Sequence, residues 1–236
     1  MKIQCFHSSS AGNLYSVSDG TTQIMIECGV EFKEIQKCFN FNLSALAGCL
    51  ITHSHSDHSK SWKHVAKYTD VYMLEETAEE LKAFGYRIKR LSSSTTTPSF
   101  DLGTLKIKPL PANHDVPCCS FLINSYVTKE QLWFITDTAY VGYGAYNTHY
   151  AMIECNYQLE RLNEDVDKGL LEPSARNRIV GSHLGLNTAV EILKGINPNT
   201  LKEVYALHLS SRHADEKEVK QTIEREIGKP VFVAGK

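Results

Sequence analysis

Directly after the apolar run Cys49-Leu50-Ile51 the chain reads Thr52-His53-Ser54-His55-Ser56-Asp57-His58. Three imidazoles and a carboxylate within six residues constrain the fold more than any other stretch. Imidazole and carboxylate bury badly without partners, yet the segment that delivers them reads as a buried strand. The end of that strand must therefore open onto something that satisfies them. A divalent metal does so, because neutral imidazole and carboxylate are ligands that zinc, manganese and iron accept. His53 and His55, one residue apart, can share an ion across a turn, and the Asp57-His58 pair pointing elsewhere implies a second ion. The plainer reading, a polar surface loop rich in His by chance, fits poorly with the strand in front of it.

Around this cluster the first third of the chain predicts short strands and tight turns. Strands are expected at Ile3–Phe6, Leu14–Ser18 and Gln23–Glu27, with Asp19-Gly20 as a hairpin turn. Phe32, Ile35, Gln36 and Phe39 recur at helical spacing. Gly48–Thr52 is the strand that delivers the His cluster. Ser59–Tyr68 and Glu75–Phe84 predict amphipathic helices around a strand at Val71–Met73. The Ser/Thr run Ser92–Pro98 is a loop by composition. Further strands are expected at Thr104–Pro109, Cys119–Asn124, Gln131–Thr136, Tyr150–Glu154, Lys202–Leu207 and Val231–Ala234, and helices at Leu186–Ile196 and Ala214–Ile227. This pattern predicts two sheets with helices outside them, a layered α/β arrangement. With 236 residues and no linker or repeat, one domain over 1–236 is expected.

Composition narrows the functional classes. A net charge of -2 argues against coating nucleic acid by bulk electrostatics, though it leaves room for a local basic patch or a small anionic substrate. No apolar run approaches the ~20 residues of a membrane span, and no secretory signal is visible. The seven Cys lack CxxC spacing and fall mostly in apolar strands, as reduced residues do. A cytoplasmic location is expected, and the composition is compatible with a homodimer. Cys118-Cys119 reads as core strand, since adjacent Cys on a strand face opposite ways. His7, His64, His149 and His213 read as surface or packing residues.

Three other residues stand where apolar strands end: His114, Asp137 and His208. Singly, each is as well explained as a turn cap or a hydrogen-bonded core group; together with the first cluster they change the balance. The ordered set His53, His55, Asp57, His58, His114, Asp137 and His208 resembles the ligand set of the metallo-β-lactamase superfamily. Met152-Ile153-Glu154-Cys155-Asn156-Tyr157, Arg178-Ile179-Val180-Gly181-Ser182-His183-Leu184 and Leu207-His208-Leu209-Ser210 resemble the E-x-N-Y, R-I…GHL and HLS elements of the YycJ/WalJ-type branch, and parallel elements of ribonuclease Z. Ser8–Asn13 resembles that branch's S-x-G-N loop.

The resemblance implies a four-layer αββα sandwich of two mixed sheets with outer helices. It implies two divalent ions, Zn²⁺ first and Mn²⁺ as the alternative. His53, His55 and His114 would hold one, Asp57, His58 and His208 the other, and Asp137 would bridge them, ~3.5–4 Å apart. It further implies attack of an activated water on phosphorus, oriented by Asp57. His183 would protonate the leaving alkoxide, with Glu154 holding its tautomer; a purely structural Glu–His pair is the alternative. Arg178 reads either as a fork for a substrate phosphate or as a surface ion-pair residue, and Asn13 as lining the mouth of the site. Two departures from the family pattern stand out: Glu27 in Ile26-Glu27-Cys28-Gly29, where the family has Asp, and Gly181-Ser182-His183, where it has a simpler G-H-L.

The Glu154…His183 pairing moves the expected chemistry from lactam or thioester cleavage to phosphodiester cleavage. The resulting expectation is a dinuclear metal phosphodiesterase acting on DNA or RNA ends, and specifically a 5′-to-3′ DNA exonuclease. Alternatives are a phosphodiesterase on small substrates such as cyclic nucleotides, and a binding protein that has lost its chemistry. Against the last, all seven ligand positions are filled.

Overall fold

Residues 1–92 and 96–234 are described here in a computed structural model. The expected Ser92–Pro98 loop lies partly outside the described residues; within it, Thr97 Oγ1 donates to Ser92 O at 3.0 Å. The chain forms two compact units, one of residues 1–111 and 116–130, the other of 112–115 and 131–234. Its sheets are mixed and flanked by helices.

In the first unit six strands pair in chain order. The six-stranded sheet runs β1 (Lys2–Ser9), β2 (Gly12–Ser18), β3 (Gln23–Ile26), β4 (Cys49–Leu50), β5 (Val71–Leu74) and β6 (Ile88–Leu91). The first three are antiparallel, and β3 to β6 are parallel, joined through helices. Antiparallel neighbours need only a turn, whereas parallel ones need a crossover. Those crossovers carry α1 (Phe32–Cys38), then α2 (Ser56–Ser59) and α3 (Trp62–Val65), then α4 (Glu75–Glu80). A core of Leu14, Met25, Ile35, Ile51, Val65 and Met73 is fully buried. Strands β7 (Phe100–Leu102), β8 (Leu105–Ala112) and β9 (Cys118–Ser125) adjoin one another in the second sheet.

In the second unit β10 (Gln131–Ile135), β11 (Tyr150–Glu154), β12 (Glu203–Leu207) and β13 (Val231–Val233) are parallel neighbours. Every residue of β11 is buried, as expected of a central parallel strand. The helices are α5 (Leu159–Asp167), α6 (Pro173–Ser182), α7 (Leu186–Lys194) and α8 (Glu216–Ile227). Asp215 caps α8 by accepting from Glu218 N at 2.9 Å, and Gly228, left-handed at φ 69°, ends it.

Three details depart from the sequence pattern. In the span Ser59–Tyr68, expected as one helix, α2 ends at Ser59 and α3 covers only Trp62–Val65. Ser61 between them is pinned to the loop after β3: its N–H donates to Cys28 O at 3.0 Å and its hydroxyl to Val30 O at 2.6 Å. The helix expected to reach Phe84 stops at Glu80, where Lys82 turns left-handed at φ 49°. Helices α5 and α6 and strands β6 and β7 had no counterpart in the sequence reading. In α5 only Leu162 is buried, so the apolar stripe that marks a helix is nearly missing.

Candidate metal centre

The first unit assembles the opening cluster at the end of β4. Ladder bonds continue past that strand, with Ile51 N donating to Tyr72 O at 2.9 Å, and the chain then turns into α2. His53 precedes this helix, His55 is its N-cap, and Asp57 and His58 lie within it. The His53 ring stands 4.2 Å from that of His58 and 4.7 Å from that of His55. His53 and His58 are fully buried, and Asp57 Oδ2 lies 3.4 Å from His58 Nε2.

A second layer fixes these rings. Glu27, also fully buried, accepts from the Thr52 hydroxyl at 2.6 Å and lies 3.4 Å from His58 Nδ1. Thr52 Oγ1 is also 2.9 Å from His53 Nδ1. The amide of Asn13 reaches Ser9 O, Asp57 O and His58 Nε2, each at 3.1 Å, and Tyr15 donates to its Oδ1 at 2.9 Å. Asn13 is fully buried, so in this unit it braces the His53–His58 loop. Gly29 explains the glycine of the Ile26–Gly29 motif: a Cβ there would collide with the Asp57 carbonyl. Cys28 N donates to His58 O at 2.8 Å, locking the same contact.

The second unit collects its donors from scattered strand ends. Asp137 follows β10, Glu154 ends β11, His208 follows β12, and His183 follows α6. One donor atom from each of these four lies within 4.8 Å of the others. Glu154 Oε1 is 2.6 Å from His183 Nδ1 and 3.4 Å from His208 Nδ1, while Oε2 accepts from Leu184 N at 3.0 Å and Thr138 N at 3.3 Å. Two histidines are oriented from behind. His114 Nδ1 donates to Ser182 O at 2.7 Å, which leaves Nε2 to carry the lone pair of the neutral ring. The Asn156 amide contacts both the ring and the carbonyl of His208 at 3.1 Å. The inserted Ser182 thus supplies a carbonyl that holds His114, and His183 is aimed squarely at Glu154. Arg178 lies exposed on α6.

Glu27, Asp137 and His208 share a conformation that the sequence reading missed. Their φ angles are 61°, 48° and 52°, in the left-handed region, which side chains occupy at a cost of roughly 1–3 kcal/mol each and which clusters at functional sites. Each lies at or just past the end of a buried strand, where the turn redirects its side chain.

The two buried glutamates are tuned in opposite directions. Burial raises the Glu27 carboxyl, and its contacts with His58 and Thr52 do not offset this. Burial also works against ionised Glu154, but the charge of His183 and the hydrogen bonds it receives win, and its pKa falls. Correspondingly, burial depresses the His183 ring, yet Glu154 overrides it and raises the net value. Burial lowers His114, favouring the neutral imidazole that binds metal. The donor chemistry of both units, imidazole and carboxylate braced by hydrogen bonds, fits a divalent metal ion.

A family model described as the beta-lactamase superfamily domain matches residues 22–209. The chain belongs to the metallo-β-lactamase superfamily. It is a hydrolase of that superfamily, whose fold implies divalent metal ions. Exodeoxyribonuclease YycJ of Bacillus anthracis is 26% identical over 218 residues, covering 86% of this chain and 80% of that protein. The metallo-β-lactamase fold protein YhfI from Bacillus subtilis superposes with a TM-score of 0.75 at 14% identity, covering 98% of this chain and 95% of YhfI. Human tRNase Z, short form, gives 0.66 at 12% identity over 99% of this chain and 96% of its own. Among the described residues, no helix is long and apolar enough to cross a membrane.

Proposed function

We propose that this protein is a dinuclear metal phosphodiesterase that hydrolyses nucleic acid, and specifically a 5′-to-3′ DNA exonuclease. The observation that carries the reading is the buried Glu154 held 2.6 Å from His183, beside His208. A lactam or thioester hydrolase does not require such a carboxylate–imidazole pair, whereas an alkoxide leaving from phosphorus needs a proton delivered to it. The similarity to an exodeoxyribonuclease over most of both chains supports the nucleic-acid substrate.

In this reading His53, His55 and His114 would hold one divalent ion and Asp57, His58 and His208 a second, with Asp137 a ligand to both. Two such ions, when bound, would supply a hydroxide-level nucleophile near neutral pH and neutralise charge on the phosphoryl oxygens. The chain's own residues do the rest. Glu27, Thr52 and Asn13 hold His53 and His58 in place, and Ser182 O and Asn156 do the same for His114 and His208. Asp57 orients the attacking water. Glu154 engages Nδ1 of His183 and raises its pKa, so Nε2 is the nitrogen that passes a proton to the leaving oxygen. Exposed Arg178 on α6 steers a substrate phosphate. The protein works in the cytoplasm.

The test is digestion of DNA labelled at either end, with Zn²⁺ or Mn²⁺ added. The 5′ label should appear first in short products, and His55→Ala should abolish cleavage. Failure to shorten single- or double-stranded DNA or RNA with any divalent metal sinks the proposal. Release of nucleoside monophosphate from cyclic nucleotides alone would point to a small-substrate enzyme instead.

A further inference from the structure

Between Asp137 and β11 the second unit carries the segment Tyr140-Val141-Gly142-Tyr143-Gly144-Ala145-Tyr146. Its root is tied to the candidate centre: Thr138 N donates to Glu154 Oε2 at 3.3 Å, and the Thr138 hydroxyl donates to Tyr140 O at 2.8 Å. Its far end is held where Asn197 N donates to Tyr146 O at 2.9 Å. A cavity of about 330 Å³ lies against this segment, lined by Trp133, Tyr140 and Tyr143 and, from α7, by Thr188, Glu191 and Ile192. That volume is at the low end for small-molecule sites.

The cavity wall contains a polar group that the fold does not satisfy. Trp133 is 1% exposed, and its indole Nε1–H has no hydrogen-bond partner among the described residues. Buried indole donors are ordinarily paired, and leaving one unpaired costs free energy. The Tyr143 ring packs 5.9 Å from the indole, inclined by 43°, and both residues line the cavity. At the rim Glu191 is paired with Lys194 at 3.1 Å, so it offers acceptor oxygens without an uncompensated charge.

We propose that this cavity receives a nucleobase of the nucleic-acid substrate. The base stacks on the tyrosine rings, a ring nitrogen or carbonyl oxygen accepts from Trp133 Nε1–H, and an exocyclic amino group donates to Glu191. A purely apolar ligand would leave the indole donor unpaired, and a bare phosphate would meet the Glu191 carboxylate. The flat heteroaromatic ring, with donor and acceptor on one edge, is the chemistry that uses all three features. The site rests on the nucleic-acid reading above, and makes the segment after Asp137 an element that engages a base of the substrate.

The chain has two tryptophans, Trp62 and Trp133, so Trp62→Phe leaves Trp133 as the only indole emitter. Titration of that variant with dAMP, dCMP and TMP should quench its emission saturably. Adding Thr188→Phe, a bulky ring at an exposed position of α7, should abolish the quenching. In cleavage assays Thr188→Phe should raise KM for a labelled oligonucleotide about tenfold more than KM for bis-p-nitrophenyl phosphate, which carries no base; one stacked base accounts for roughly that factor. Trp133→Phe keeps the ring but removes the donor, and should show the same selectivity at smaller size. Intact DNA cleavage with no quenching, and equal effects of these variants on both substrates, overturns the pocket and leaves the nuclease reading standing. Saturable quenching in a protein that cleaves no nucleic acid supports the pocket and removes that reading.

Discussion

Glu27 in the first unit and Glu154 in the second are both fully buried, both end or follow a strand, and both contact a histidine, yet their protonation is pushed in opposite directions. The difference lies in the donors. Glu154 has a ring nitrogen at 2.6 Å, a second at 3.4 Å, and two backbone N–H groups at 3.0 and 3.3 Å. Glu27 has one short contact, the Thr52 hydroxyl at 2.6 Å, with Thr52 N and His58 Nδ1 each at 3.4 Å. Desolvation penalises both anions, and of the two only Glu154, with the His183 charge beside it and more close donors, overcomes it. Burial of a carboxylate therefore does not define its role; Glu154 is built to stay ionised and hold a proton on His183, whereas Glu27 is a bracket for the His53–His58 loop.

The largest effects should come from removing what each bracket serves. Asp137→Ala takes away the carboxylate whose oxygens lie 3.8 Å from His208 Nδ1 and 3.9 Å from His183 Nδ1. It should cost several kcal/mol of transition-state stabilisation, on the order of 10³-fold or more in kcat. Activity within tenfold of wild type would show that the Glu154 region is not part of the metal centre. On the Glu27 side, Gly29→Ala forces a methyl group into the Asp57 carbonyl, an overpacking that costs about 3 kcal/mol. Lowered thermal stability together with lost metal content is expected; unchanged metal binding would mean the bracket is slack.

A direct test of the comparison is the pair Glu154→Gln and Glu27→Gln in chelator-treated protein. Glu154 is depressed below its ordinary 4.5, so its contribution is present above that pH and is lost as pH falls through the lower folded value. Glu27 is raised above 4.5, so its contribution is present below that pH and is lost as pH rises through the folded value. At pH 8 Glu154→Gln should destabilise by about 3 kcal/mol, and Glu27→Gln should be neutral or stabilising by roughly 1 kcal/mol. Denaturant unfolding measures both. Shifts of the same sign would collapse the distinction. With metal restored, Glu154→Gln should lower kcat 10–100-fold, as loss of an orienting carboxylate does.

How much of this was legible follows from where the information sits. The His53–His58 cluster could be read directly because its donors are contiguous and a short buried strand precedes them. His114, Asp137 and His208 are separated by tens of residues, and only their order, matched to a family, made them stand out. The left-handed turns at Glu27, Asp137 and His208 left no trace, because these residue types do not announce φ as glycine does. Gly29 carries a requirement that local sequence does not show, a close approach to the Asp57 carbonyl made by residues far away in sequence. Asn13, expected at the mouth of the site, has a fully buried side chain bonded to the His53–His58 loop. Helix α6 did carry a signal, Pro173 in its first turn, but its weak apolar stripe hid it.

A third buried carboxylate separates hydrogen bonding from ionic pairing. Asp19, at the β2–β3 turn, has no histidine. Its Oδ1 accepts from Thr21 N and Thr22 N at 3.0 and 2.9 Å, and its Oδ2 from the hydroxyls of Thr104 and Ser125, both at 2.7 Å. Desolvation works against the anion, but the four donors outweigh it and bring the pKa from 3.8 down to about 2. The stability it contributes is therefore complete above pH 4 or so and is lost as pH falls toward 2. Asp19→Asn should cost about 1–2 kcal/mol at neutral pH and flatten the decline in stability across that acid window. If it does, four neutral donors suffice to keep a buried carboxylate ionised, and Glu27 is raised because it has too few of them rather than because it lacks a cation. If the acid window is unchanged in Asp19→Asn, the turn is not held by its anion, and the opposite tuning of Glu27 and Glu154 must be traced to the histidines alone.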